Sequence, residues 1–282
     1  MKWDLRLAFL SRPGRRALPG SRAFPFARRR SAPAIVLALV LAGLGPATGG
    51  VTPPTAPSAR EILDHVDDLF RSASSHGRAT MTVATEHWTR SLALEFWSKG
   101  KEQTLVRILA PQKEKGTATL RSGNDLWNYL PKVKRVIKLP SSMMSASWMG
   151  SHFTNDDLVK ESRMTEDYTF EVAFEGERDG SQVVEIACLP RPEAAVVWGK
   201  VVVRVRTPDH LPLEVAYYDE DLRIARTLTY TDVRRLGGRE LPATLRVVPA
   251  DKPAESTVVT YEDIAFDLAL DDAAFSLRAL QE

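Results

Sequence analysis

Seven aromatic or methionine side chains, Trp127, Tyr129, Met143, Met144, Trp148, Met149 and Phe153, fall within the 27 positions from 127 to 153. Pro131, Pro140, Gly150 and several serines interrupt them and forbid one continuous helix. Three of the chain's six methionines crowd into 143–149, and flexible, polarizable thioethers suit surfaces that accept varied apolar partners. Such residues make no bonds, so the chemistry they offer is non-covalent capture of hydrocarbon. They fit either a loop folded over the core or a lid facing a ligand.

Catalytic and metal-binding alternatives find little material. His65, His76, His87, His152 and His210 never pair at i, i+4 around a carboxylate. Cys188 is the single cysteine, so neither an internal disulfide nor a cysteine-rich metal site can form; its strand-like setting predicts a buried, inert thiol. No G-x-S-x-G, Walker-type or G-x-G-x-x-G pattern occurs. The carboxylate pairs Asp67-Asp68, Asp156-Asp157 and Asp271-Asp272 are adjacent in sequence and diverge in regular structure; Asp156 and Asp157 read as the opening of a short helix. No enzyme, metal or cofactor is expected. Lys132, Lys134 and Arg135, with Lys138 beyond, read either as a solvated hairpin tip or as a cationic rim that could meet lipid phosphate.

These residues need a scaffold, and hydrophobic periodicity supplies one. Ser58 and Glu61 form an S-x-x-E capping box, and Ile62, Leu63, Val66, Leu69 and Phe70 recur at helical spacing until 72–77 ends the stripe. Thirteen β-rich runs follow: 79–87, 91–98, 103–109, 117–121, 125–130, 135–138, 168–175, 182–189, 196–206, 213–218, 223–232, 243–248 and 256–264. We expect that count to exceed the true number by two. Ser98-Lys99-Gly100, Gly123-Asn124, Asp179-Gly180, Pro208-Asp209 and Gly237-Gly238 mark the turns. The spacing predicts a mainly β, α+β fold: a single curved antiparallel sheet wrapped around the N-terminal helix. Leu92, Leu94 and Phe96 share one face of their strand. One helix cannot cover the apolar face of a dozen strands, so a second helix, a closed barrel or a ligand must take the remainder.

The order of features in 124–158 resembles the LolA-like family of outer-membrane lipoprotein-sorting proteins. It runs Asn124, Trp127, Tyr129 and Pro131, then Lys132, Lys134 and Arg135, then Ser141 and Ser142, then Met149-Gly150 and Phe153 before Asp156-Asp157-Leu158. The resemblance implies an unclosed β-barrel with a hydrophobic concave cavity and short lid helices, carrying acyl chains of a lipoprotein or lipid between membranes. Strand alternation and the aromatic and methionine-rich segment make Leu92, Leu94, Phe96, Trp127, Tyr129, Met143, Met144, Trp148, Met149 and Phe153 the candidate cavity and lid residues, and no ligand-gating residue is carried over from the family. An inner-membrane transporter and an outer-membrane acceptor are the partners the resemblance implies. An acyl chain of about fifteen methylenes exposes roughly 12 kcal/mol of apolar surface at about 0.8 per group, so transit through water needs a carrier. An envelope sensor of the same fold, acting through a protein partner, is the alternative, with an exported enzyme a third.

Residues 1–49 read as an address. Nine Lys or Arg, ending in Arg28-Arg29-Arg30, stand against Asp4 alone, and the apolar run Ala34–Leu44 precedes small residues, the order of a secretory signal. Eleven apolar positions are too few to cross a bilayer, which takes roughly 20. Arg28-Arg29-Arg30-Ser31 leaves a twin-arginine route open. A Pro- and Thr-rich linker, 50–57, follows, then one domain over 58–282. Removing those nine from 38 basic residues and Asp4 from 36 acidic ones leaves 29 against 35, a balance of −6. A mildly acidic protein has no electrostatic reason to bind nucleic acid. No cysteine directly follows the apolar leader to become a lipid-anchored N-terminus, so a soluble periplasmic protein is expected.

Overall fold

The computed structural model describes residues 57–160 and 163–282; the expected leader 1–49 and all but the last position of the linker 50–57 lie outside them. Helix α1 (Ala59–Arg71) starts at the expected box: the Ser58 Oγ accepts from the Glu61 N–H at 3.3 Å, and the Glu61 carboxylate accepts from the Ser58 N–H at 2.7 Å. Ser72, at φ 54°, ends it, and Ile62, Leu63 and Leu69 are buried.

Among the described residues there are thirteen strands, β1 (Ser74–Ala84), β2 (Thr89–Lys99), β3 (Gln103–Ala110), β4 (Ala118–Ser122), β5 (Asp125–Leu130), β6 (Arg135–Lys138), β7 (Tyr168–Arg178), β8 (Ser181–Pro190), β9 (Lys200–Arg206), β10 (Pro212–Tyr218), β11 (Ile224–Leu236), β12 (Arg239–Pro249) and β13 (Ser256–Phe266). The expected surplus of two is corrected: each β-rich run is a strand. Several boundaries differ by up to five residues, among them the starts of β1 and β9. β1 begins at Ser74 because both its neighbours pair with it there, overriding the weak strand preference of Ser-Ser-His-Gly. β9 begins at Lys200, and 196–199 is irregular.

All thirteen form one antiparallel, curved, unclosed sheet in the order β6-β5-β4-β3-β2-β1-β13-β12-β11-β10-β9-β8-β7. Two local meanders, β1–β6 and β7–β13, therefore meet at the β1/β13 ladder, which leaves β6 and β7 as free edges. β12 and β13 pair only over Thr244–Val247 with Thr257–Thr260. Beyond that, β13 stays with β1 as far as Phe266 and β12 with β11 as far as Arg239. Arg234 donates across the resulting split to the Tyr261 carbonyl at 3.2 Å, and Arg239 pairs with Asp267 at 3.0 Å.

The inner face carries two apolar clusters. Ile62 and Leu63 of α1 pack on Val184, Ile186, Val201, Val203, Val215, Leu228 and Val247. Met81, Val83, Leu92, Leu94, Val106 and Ile108 form the second, and Phe153 packs against both. The other face is apolar too: Leu105, Ala118 and Leu120 lie under Phe275 and Leu280 of the C-terminal turns Asp272–Phe275 and Ala279–Gln281.

Gly77 lets β1 approach β13 closely beside the bulge at Arg78/Ala79: a Cβ there would lie 2.3 Å from the Asp263 carbonyl oxygen and 2.8 Å from the Phe96 ring. Gly77→Ala is expected to cost about 1–3 kcal/mol through overpacking. Urea unfolding measures this, and an unchanged midpoint would contradict the close approach.

Candidate functional site

Residues 139–167 connect β6 to β7 and so run from one free edge of the sheet to the other. Leu139 anchors the start against Leu126 and Val159. The turn Ser141–Met143 follows Pro140, and a short hairpin is then closed by the Ser147/Thr154 bridge and by Trp148 N–H donating to the Phe153 carbonyl at 2.8 Å. Met149 and Gly150, at φ 49° and 71°, turn its tip through the left-handed region. Helices α2 (Asn155–Lys160) and α3 (Met164–Asp167) complete the segment. Thr154 and Asp157 cap α2 reciprocally, with Thr154 N–H donating to Asp157 Oδ2 at 2.7 Å and Asp157 N–H to Thr154 Oγ1 at 3.2 Å.

This segment covers what α1 leaves bare. Trp148, 7% exposed, enters the Met81–Leu92–Ile108 cluster, with Met149, Phe153 and Leu158 beside it. Its indole N–H donates to Thr119 Oγ1 at 3.2 Å. Phe96 meets the edge of Tyr261 at 5.7 Å, and Tyr261 stacks on Phe70 of α1 at 5.3 Å, so an aromatic row links the lid side to the helix side.

Three polar latches hold the lid. Arg90, paired with Glu114, donates to the Met149 carbonyl at 2.9 Å. His152 contacts Glu255 Oε2 through Nε2 at 3.0 Å, and its backbone N–H donates to Thr257 Oγ1 at 3.0 Å. Deepest of all, Arg226 of β11 donates from Nη1 and Nη2 to Asp157 at 2.7 and 2.6 Å, and from Nη1 to the His152 carbonyl at 3.4 Å. Its guanidinium lies 4.8 Å from the Trp198 ring centre and 4.3 Å from that of Tyr217. Burial disfavours the Arg226 charge, but the hydrogen bonds and charge of Asp157 outweigh it and raise its pKa above that of an ordinary arginine. Burial also pushes the Asp156 carboxyl up, against the pull of Lys160.

The expected site residues divide between surfaces. Leu92, Leu94 and Phe96 lie on the inner face beneath Trp148, Met149 and Phe153, which are brought together with them. Met144 is half-buried against the Leu126 cluster, and Met143 is exposed. Trp127 and Tyr129 do not join this group. They pack on the opposite face with Leu105, Leu120 and the C-terminal turns, because the β4/β5 register sets Trp127 opposite Leu120. Lys132, Lys134 and Arg135 are exposed on the β5–β6 hairpin around exposed Val133. Sequence reasoning misses Arg226, Trp198 and Tyr217 and takes Asp157 only as a helix opening, although Arg226 stands in phase with Leu228 on an apolar strand face, a signal that a cation is being buried.

The open trough that the resemblance implies is closed here. Beneath α2 a cavity of about 40 Å³ remains, lined by Phe153, Asp157, Lys160, Met164, Trp198, Tyr217 and Arg226. That is room on the order of one water, whose share of liquid volume is about 30 Å³. A wider opening of about 360 Å³ between α1, the Asp209 turn and the start of β12 is lined by His65, Asp68, Leu69, Leu211 and Arg239. Cys188 is buried, and burial pushes its thiol up to about 12, as expected of an inert group. Among the described residues no three His, Cys, Asp or Glu side chains are grouped to hold a metal ion, and no helix is long and apolar enough to cross a membrane.

A comparison with curated proteins finds no match. A family model described as that of an uncharacterized protein matches residues 100–282. Among solved structures, a DUF1329 family protein from Desulfovibrio piger has a TM-score of 0.71 at 24% identity, covering 79% of this chain and 97% of its own. An outer membrane lipoprotein-sorting protein domain from Vibrio parahaemolyticus has 0.69 at 23%, covering 79% and 98%. A LolA superfamily protein from Nitrosomonas europaea has 0.67 at 24%, covering 79% and 100%. At these identities the likeness is one of fold.

Proposed function

The chain belongs to the family of uncharacterized proteins whose model spans residues 100–282 and has the LolA-like fold, and from that premise we propose that it is an exported, non-catalytic carrier. In this reading it takes acyl chains of a lipid or lipoprotein beneath the 139–167 lid and moves them towards the outer membrane. One observation carries the reading. The apolar inner face around Leu92, Leu94 and Phe96 is sealed by an irregular segment stretched between two free sheet edges, not by a second layer of regular structure.

Trp148, Phe153 and Leu158 occupy the place a hydrocarbon would take, so uptake is an exchange of one apolar filling for another. Such an exchange keeps the inner face dry in both states. Loading therefore requires the lid to lift and the three latches to part. The rest of 58–282 forms the frame, and 1–49 serves as the export signal.

Protein made in its native envelope and purified without detergent tests this directly. Mass spectrometry of its organic extract is expected to show acyl lipid at near stoichiometric amounts, and an extract empty of lipid would count decisively against the carrier.

The β5–β6 hairpin supplies a place to dock. From Leu126 to Asn155 the chain has no acidic residue, while Lys132, Lys134 and Arg135 surround exposed Leu130, Val133 and Ile137 on a protein whose formal balance after the leader is −6. In this reading the cations face lipid phosphate and Val133 enters the interface. Each such cation contributes about 1 kcal/mol at an anionic membrane. Reversing all three to glutamate is therefore expected to weaken binding to phosphatidylglycerol vesicles by about 100-fold or more. Co-sedimentation at low salt measures this, and equal binding of the variant would remove the hairpin from the docking surface.

A further inference from the structure

Arg226 is a cation that the fold cannot release. It projects from β11 in phase with Leu228 on the inner face, is 6% exposed, and lies against the rings of both Trp198 and Tyr217, which also touch each other. Its position is set by the sheet and by the loop that follows β8. Its counter-ion belongs to a different part of the molecule: Asp157 lies on α2, within the lid, as does the His152 carbonyl. Asp157 takes both Nη groups, while Nε is buried without a hydrogen-bond partner; Arg226 also lines the cavity of about 40 Å³.

Lifting the lid would therefore remove the carboxylate and leave the guanidinium where it is. A cation stranded in an apolar cleft is strongly unfavourable, and a neutral hydrocarbon entering the cleft would do nothing to relieve it. A guest bringing its own anion would. Carboxylate and phosphate both match the planar guanidinium fork, and Nε with one Nη offers a second edge that Asp157 does not use.

We infer that the cargo is an amphiphile whose head is anionic, a carboxylate or phosphate next to the hydrocarbon chain, and that Asp157 stands in for that head in the closed protein. The inference rests on the carrier reading and narrows it. The hydrocarbon takes the place of Trp148 and Phe153, the anion takes the place of Asp157, and both replacements occur in one lid movement. Anion and chain are thus recognised together.

The test compares amphiphiles of the same dodecyl length on the intact mature protein: laurate, dodecyl phosphate and neutral monolaurin, each titrated below its micellar concentration and followed by calorimetry. At least one of the two anions is expected to bind roughly 10- to 100-fold more tightly than monolaurin, the range for charge-assisted hydrogen bonds. Which anion leads separates a carboxylate head from a phosphate head. Asp157→Asn, which removes the internal competitor, is expected to widen the preference over monolaurin by about tenfold. Arg226→Gln is expected to abolish the preference while monolaurin still binds. Equal binding of all three amphiphiles by the unaltered protein would overturn the anionic head and leave the carrier standing. Binding of none would overturn the carrier reading as well.

Discussion

Replacing Trp148 with alanine is expected to destabilise the protein by about 3–5 kcal/mol, the range for emptying a buried tryptophan site. The side chain is 7% exposed, fills the space above Met81, Leu92 and Ile108, and donates to Thr119. Most of that volume has no other occupant, because the lid backbone is held by Arg90 and Thr257 and cannot collapse onto the sheet. The same change opens a dry void, so a neutral apolar dye is expected to bind the folded variant and not the parent. Urea unfolding and dye titration measure the two effects. A folded variant with an unshifted midpoint and no dye uptake would show that the indole is not the plug of the inner face.

Arg226→Met is the second large change. Removing one member of a buried ion pair strands the other, at a cost of about 3–5 kcal/mol. Here the stranded group is Asp157, whose carboxylate also accepts from the Thr154 backbone at the start of α2. The lid is therefore expected to loosen locally before the sheet melts, with faster amide hydrogen exchange across 143–160. Adding Asp157→Leu should restore most of the stability, since an apolar pair of similar volume often matches a buried ion pair. If the double variant were no more stable than the single one, the loss would lie in the cation–π stack on Trp198 and Tyr217, not in the stranded charge.

Local chemistry was legible in the sequence where it is decided locally. The capping box at Ser58 and Glu61 starts α1 as written, and Asp179-Gly180 and Gly237-Gly238 turn at positive φ where the chain supplies residues that tolerate it. Alternation likewise grouped Leu92, Leu94 and Phe96. What alternation within one strand cannot reveal is which face of the next strand lies alongside. Trp127 and Tyr129 belong to the outer face because β5 pairs with β4 in a register that aligns Trp127 with Leu120. Their cover is the C-terminal turn segment, too short and irregular to announce itself by periodicity. The Arg226–Asp157 pair spans 69 positions of sequence, and no local pattern connects a strand arginine with a helix-capping aspartate. The cover of the inner face is equally non-local, since Trp148, Met149 and Phe153 reach Leu92, Leu94 and Phe96 only through the fold.

The brief ladder between β12 and β13 has a mechanical consequence. Thr244–Val247 and Thr257–Thr260 are its only rungs, so β13 and the strands β1–β6 that follow from it are laddered to β7–β12 over four residues. Two leaves joined along so short a spine can tilt by surrendering few backbone bonds, while each stays fully laced internally. Room for a guest can thus come from the binding of the leaves as well as from the flap that spans them, and the interior can adjust its width to cargo of differing girth while every other ladder of the sheet stays paired.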